Sequence, residues 1–300
     1  MKKCGKIGLG TVQWGMPYGI ANRDGRPDAS GVRAMLDQAH AGGCDLLDTA
    51  YVYGDAERMI GEQGTAAAPF HIVTKTFPLK GQAVTDQAVA AICAAFETSL
   101  LRLQRDEIYG LLVHHADDLL AENGGMLWQA LEQFKKAGRI TKLGVSVYQP
   151  EQLKCVLARF PVELVQVPFN IYDQRFVRSG LLTLLKQKGV EVHVRSAFLQ
   201  GLLLLPAEKL AGYFSPFRSQ QERLHLRIQQ LGLTPYQACT NFCLSQHEID
   251  RVIVGCETPE QVRMLVNACD EVGASLVTEM QPFGVDDEAL INPSRWPKHN

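Results

Sequence analysis

Apolar residues recur along this chain in two alternating rhythms. Short runs rich in branched residues are each followed by a longer stretch with apolar positions three and four apart. The short runs read as strands: "KIGLG", "CDLLDTA", "FHIVTKT", "EIYGLLVHH", "ITKLGVSVY", "VELVQVPFN", "VEVHVRSAF" and "RVIVG". The stretches between them read as helices: "ASGVRAMLDQAHAGG", "AERMIGEQG", the long "TDQAVAAICAAFETSLLRLQ" with Thr85 as cap, "GMLWQALEQFKKAGR", "QPEQLKCVLARF" with Pro150 in its first turn, "VRSGLLTLLKQKG", "TPYQACTNFCLSQ" and "TPEQVRMLVNAC". A further polar helix, "RSQQERLHLRIQQLG", lies in a long segment before the last strand.

Eight strand-then-helix units without a break in composition predict an α/β fold, a single (β/α)8 TIM barrel of the usual ~250 residues. It would be one domain over 1–300, with a tail from about 271 to 300 over one face. A six-strand doubly wound sheet would leave two units over. "GLGTVQWG" after the first strand has the wrong glycine spacing for a dinucleotide fingerprint, and it predicts a long loop with no helix after it.

Composition narrows the class. Of the 300 residues 46% are hydrophobic and 21% charged, enough for a large core. Net charge is −2 with no basic block, which speaks against nucleic acid as partner. The longest apolar run, "GLLLLP", is too short to span a bilayer. No apolar segment of signal-peptide type follows the basic start. The eight cysteines form no C-x-x-C pair and predict buried thiols, no metal site and a cytoplasmic protein. Oligomeric state is left open.

In such barrels chemistry sits at the C-terminal strand ends. Here the ends carry Gly10 and Thr11, Asp48, Lys75, His114 and His115, Ser146, Gln166, Arg195 and Ser196, and Gly255. Three neighbouring strands thus end in Asp, Lys and His. Adjacent strands lie about 4.8 Å apart, so Asp48 and Lys75 can pair, which would let each be buried. Tyr53 follows in the loop "DTAYVYGDAE". A cation beside its phenol would lower the phenol's pKa; a drop of ~2 units needs roughly 2.7 kcal/mol. Tyr53 could then protonate a carbonyl oxygen, with His114 bonded to the same oxygen. A plain structural ion pair is the bland alternative.

These residues resemble the aldo-keto reductases over nearly the whole chain. "LDTAYVYGDAE" is similar to the family signature around its aspartate and tyrosine, here Asp48 and Tyr53; "IVTKT" to the segment with its lysine, Lys75; and "IYGLLVHHADD" to the strand ending in its histidine, His114. "LGVSVY", "VQVPFN" and "FLQGLL" follow in family order. The resemblance implies NADPH-dependent reduction of a small-molecule aldehyde or ketone, with NADH or dual use as the alternative. It implies Ser146 and Gln166 at the nicotinamide carboxamide, and Gly10 and Thr11 lining the cofactor. Ser196, Phe198, Leu199, Gln200 and Gly201 would touch the pyrophosphate; Gly255, Gln261 and Arg263 would lie at the adenosine phosphate. A tyrosine commonly stacks on the nicotinamide where Arg195 stands, and a flat guanidinium can stack too. Val147 stands where the family usually has asparagine. Trp14, Tyr18 and His115 are candidate substrate residues, core packing being the alternative for the first two. The loop after strand one resembles a bacterial subgroup linked with sugars. A cofactor-binding sensor or regulatory subunit is the competing function.

Overall fold

The computed structural model describes residues 3–19, 25–269 and 275–297. Eight parallel strands close a barrel in sequence order: β1 (Ile7–Gly10), β2 (Leu46–Asp48), β3 (His71–Lys75), β4 (Ile108–Val113), β5 (Ile140–Ser146), β6 (Leu164–Pro168), β7 (Glu191–Arg195) and β8 (Arg251–Gly255). β1 pairs with both β2 and β8, so no edge is left open.

Side chains alternate along each strand. One set packs outward against the helices in a continuous core that includes Leu9, Leu47, Ile72, Leu111, Val145, Val165 and Val194. The other set fills the barrel: Leu46, Val73, Leu112, Leu164 and Ile253 form a separate buried cluster. Asp48, Lys75 and Gln166 lie two positions beyond Leu46, Val73 and Leu164, in the layer above that plug. The strand period therefore turns all three polar groups toward the barrel mouth.

The helices start and stop where local chemistry dictates. Thr85 accepts the amide of Ala88 at the start of the helix Asp86–Leu103. That helix buries Ile92, Ala95, Phe96, Ser99, Leu100 and Leu103, a stripe at helical spacing. Burial of each large member contributes about 1.5–3 kcal/mol. The helix Pro150–Leu157 begins on its proline, and Gln152 accepts the Gln149 amide.

Two details differ from the sequence reading. The segment after β1 opens with a helical turn, Val12–Gly15, rather than continuing as loop; residues 20–24 of that segment lie outside the described residues. The helix after β6 is split into Arg175–Arg178 and Leu181–Gln187, because Gly180 adopts φ 73° and breaks the spiral.

Within 275–297, Leu276, Met280, Leu290 and Ile291 are buried, and the Trp296 ring sits 4.8 Å from Phe214. The Val285 amide donates to Tyr172 O at 2.8 Å. Residues 270–274 and 298–300 of the expected tail lie outside the described residues. Among the described residues no helix is long and apolar enough to cross a membrane. Cys239 and Cys243 are fully buried.

Candidate active site

Four of the strand-end residues meet at the barrel mouth. The Lys75 ammonium donates to Asp48 Oδ2 at 2.6 Å and to the Thr49 carbonyl at 2.9 Å. The Gln166 amide nitrogen donates to the other carboxylate oxygen, Asp48 Oδ1, at 2.7 Å. Asp48 and Lys75 are almost fully buried, so each is tolerated only through the other. The Lys75 Nζ lies 5.2 Å from the centre of the Tyr53 ring. The Tyr53 ring in turn meets His114 edge-on, 6.0 Å between centres.

The approach of Lys75 to Tyr53 holds, but its expected electrostatic effect does not. Burial pushes the Tyr53 phenol well above its ordinary value, the Asp48 carboxylate pushes it further, and the Arg195 guanidinium opposes them. Lys75 is neutralised at contact distance by Asp48, so the pair presents the phenol with both signs and burial decides. Burial likewise draws the Lys75 ammonium down, with Asp48 pulling the other way. The phenol accordingly keeps its proton at neutral pH.

His114 is held by two bonds to Thr76. Its backbone amide donates to Thr76 Oγ1, and its Nδ1 lies 3.2 Å from the Thr76 carbonyl. A carbonyl only accepts, so Nδ1 carries the hydrogen and Nε2 presents a lone pair in the neutral ring. Burial first, then the Lys75 charge, lowers this imidazole to about 3.

An arc of rings continues from there. His114 meets His115 at 5.5 Å, and His115 meets Tyr148 at 6.0 Å. The Arg195 guanidinium lies over Tyr148 at 4.2 Å and donates to Val147 O at 3.3 Å. Tyr18 reaches in from the other side, where its hydroxyl accepts from Gln200 Nε2 at 3.0 Å. Tyr148 was not among the residues singled out from the sequence; its place two positions after Ser146, at the end of β5, was the available signal.

Other expected residues divide. Trp14 is not a pocket wall: it is fully buried, and its indole donates to Cys256 O at 3.0 Å, tying the β1 turn to the end of β8. Thr11 is buried too, and both its amide and its hydroxyl bond the Asp48 carbonyl. Gly10 and Gly255 are register partners on β1 and β8. Ser196, Leu199, Gln200 and Gly201 all have positive φ, from 49° to 93°. Within this turn the Leu199 and Gly201 amides already donate to Ser196 O and Phe198 O, at 2.8 and 2.9 Å, and the Leu199 side chain is fully buried. The Phe198 ring packs on Tyr236 at 4.5 Å. Gln261 accepts the Glu257 amide at 2.8 Å, closing the turn before the helix Pro259–Asn267. Arg263 is exposed on that helix with no ion pair among the described residues.

A nicotinamide cofactor fits this donor set. Ser146 and Gln166 are buried residues at the ends of β5 and β6, and Gln166 commits its amide nitrogen to Asp48, which leaves its carbonyl oxygen as the acceptor. Together they match the donor and acceptor of a carboxamide. Among the described residues no cluster of His, Cys, Asp and Glu is arranged to hold a metal ion.

The geometry agrees with what the chain is related to. Residues 6–277 match the Aldo/keto reductase family, and the chain belongs to that family. It is 28% identical over 210 residues to the aldo-keto reductase YhdN of Bacillus subtilis, a match covering 66% of this chain and 60% of that one. It is 32% identical over 164 residues to a glyoxal reductase of the same bacterium, covering 53% and 55%. The holo form of aldo-keto reductase AKR11C1 from Bacillus halodurans superposes with a TM-score of 0.76 at 23% identity, over 97% of this chain and 95% of that one, a likeness of fold. The chain thus spans between about half and three-fifths of the length of these two curated relatives.

Proposed function

We propose that this protein is an NAD(P)H-dependent reductase of small aldehydes or ketones, with NADPH as the first choice of cofactor. The observation that carries the reading is the buried Asp48–Lys75 pair, 2.6 Å apart, set under the Tyr53 ring beside His114. When bound, the reduced nicotinamide would supply a hydride. Ser146 and Gln166 would hold its carboxamide, the turn at Ser196–Gly201 would lie against its pyrophosphate, and Arg263 would meet a 2′-phosphate.

The chain's own task is then to place a carbonyl and hand it a proton. Tyr53 keeps its proton until needed, because burial disfavours the phenolate. A developing alkoxide is a stronger base than a phenolate, so the transfer runs downhill once the oxygen gains charge. The Lys75 ammonium then faces a phenolate instead of a neutral ring, and its attraction appears only in that state. Neutral His114, with its hydrogen on Nδ1, has only a lone pair at Nε2, so it cannot donate to the carbonyl oxygen as the sequence suggested and would instead accept the hydroxyl of the alcohol once the oxygen is protonated. Asp48 and Gln166 hold Lys75 in place.

The test is consumption of NADPH or NADH with a panel of aldehydes, ketones and open-chain sugars, by wild type and Tyr53→Phe. The wild type should turn over at least one of them, and the variant should lose ~10²–10⁴-fold in rate while still binding cofactor. Undiminished turnover by the variant removes Tyr53 as the acid. Tight cofactor binding without turnover of any compound by the wild type favours the sensor.

A further inference from the structure

The arc that begins at Tyr53 ends on a charge without a counter-ion. Arg195 is half-buried at the mouth, yet no carboxylate among the described residues lies within ion-pair distance. Its contacts are one carbonyl, Val147 O, and the face of Tyr148. A guanidinium carries five donors, and one of them is committed to Val147 O. Half-burying a cation in that way is unfavourable unless an anion joins it.

Two anions could answer. The phosphates of a dinucleotide would lie elsewhere on the reductase reading, beside the turn Ser196–Gly201 and the exposed Arg263. The nicotinamide end is neutral when reduced and cationic when oxidised, so it gives Arg195 no partner. The anion that remains is one on the substrate. Ring contacts link the guanidinium to the proton donor, from Tyr148 through His115 and His114 to Tyr53. The Tyr148 ring forms one wall beside it, and Met16 and Val52 are exposed apolar residues in the loops after β1 and β2.

We infer that Arg195 is a specificity residue that selects carbonyl compounds bearing a carboxylate near the carbonyl, such as 2-oxo acids or carboxylated aromatic aldehydes. The inference rests on the reductase reading for its chemistry, but not for its binding.

The experiment pairs each carboxylated compound with a neutral counterpart: 2-carboxybenzaldehyde with benzaldehyde, and phenylglyoxylate with its methyl ester. The wild type should favour the carboxylated member in kcat/KM. In Arg195→Met that preference should fall at least about tenfold, mostly through KM, and Arg195→Lys should restore part of it. Benzoate binding to the cofactor complex, read by calorimetry, should weaken to match. No preference in the wild type overturns the inference. So does a fall in cofactor affinity with the preference intact, which would make Arg195 a cofactor residue. If no compound is reduced but benzoate binds through Arg195, the reductase reading fails and this one stands. If benzoate ignores Arg195, this one fails.

Discussion

Lys75 Nζ and Asp48 Oδ2 lie 2.6 Å apart, beneath the mouth of the barrel and almost out of reach of water. Neither charge has another opposite charge at contact distance among the described residues, so each single removal strands its partner. Asp48→Asn or Lys75→Met should therefore lower stability by about 3–5 kcal/mol. The double variant should be less damaged than the sum of the two, since no buried charge is then orphaned. Urea denaturation of the four proteins measures the coupling; additive losses would mean that the pair does not interact.

The state of Tyr53 makes a prediction about pH. An ordinary phenol ionises near about 10, but burial and Asp48 raise this one. The donor form should persist as pH rises, so the reduction rate should not decline through a group titrating at or below about 10. A descending limb well below that value, absent from Tyr53→Phe, would show the phenol to be acidic after all.

His114 adds an acid-side effect. Its imidazole falls from 6.5 to about 3 in the folded protein. Between those values the unfolded chain takes a proton that the fold refuses, so stability is complete above about 6.5 and drains away as pH falls toward 3. The share at stake is a few kcal/mol at most. His114→Gln cannot take the proton, so its stability gap from wild type should shrink or reverse as pH drops over that window. Denaturant midpoints at several pH values measure the gap; a constant gap would contradict the assignment.

Gly15 offers a test of positioning. A Cβ there would lie 1.7 Å from the Tyr53 carbonyl, and one on Gly54, which has φ 58°, would lie 2.5 Å from Gly15 O. Two backbones touch because both residues lack side chains. Gly15→Ala should push the Tyr53 loop outward and reduce turnover about tenfold or more while the barrel still folds. Unaltered kinetics would show that the contact does not place the phenol.

Much of this was legible in the residues. The period of two along β2, β3 and β6 carried Asp48, Lys75 and Gln166 to one end of the barrel, and the alternation of units closed it. What escaped was set by three-dimensional burial. Trp14 read as either a pocket or a core residue because it follows a strand end, and the choice is made by a contact 242 positions away in sequence that pins its indole to Cys256 O. The sign of the Tyr53 shift escaped for a similar reason. A lysine near a tyrosine argues for acidity only if its charge is unshared, and the bond to Asp48 shares it. Tyr148 gave no motif; only the folded arc from His114 to Arg195 gives it a place.

The last two residues of the helical turn Val12–Gly15 are both clamped: Trp14 to the exit of β8, Gly15 to the backbone of Tyr53. The stretch beyond it, which carries Met16 and Tyr18, therefore departs from a fixed foundation. Because Gly15 lies against the Tyr53 carbonyl, the two loops are mechanically coupled: a change that shifts the stretch beyond the turn is transmitted to the loop that holds Tyr53.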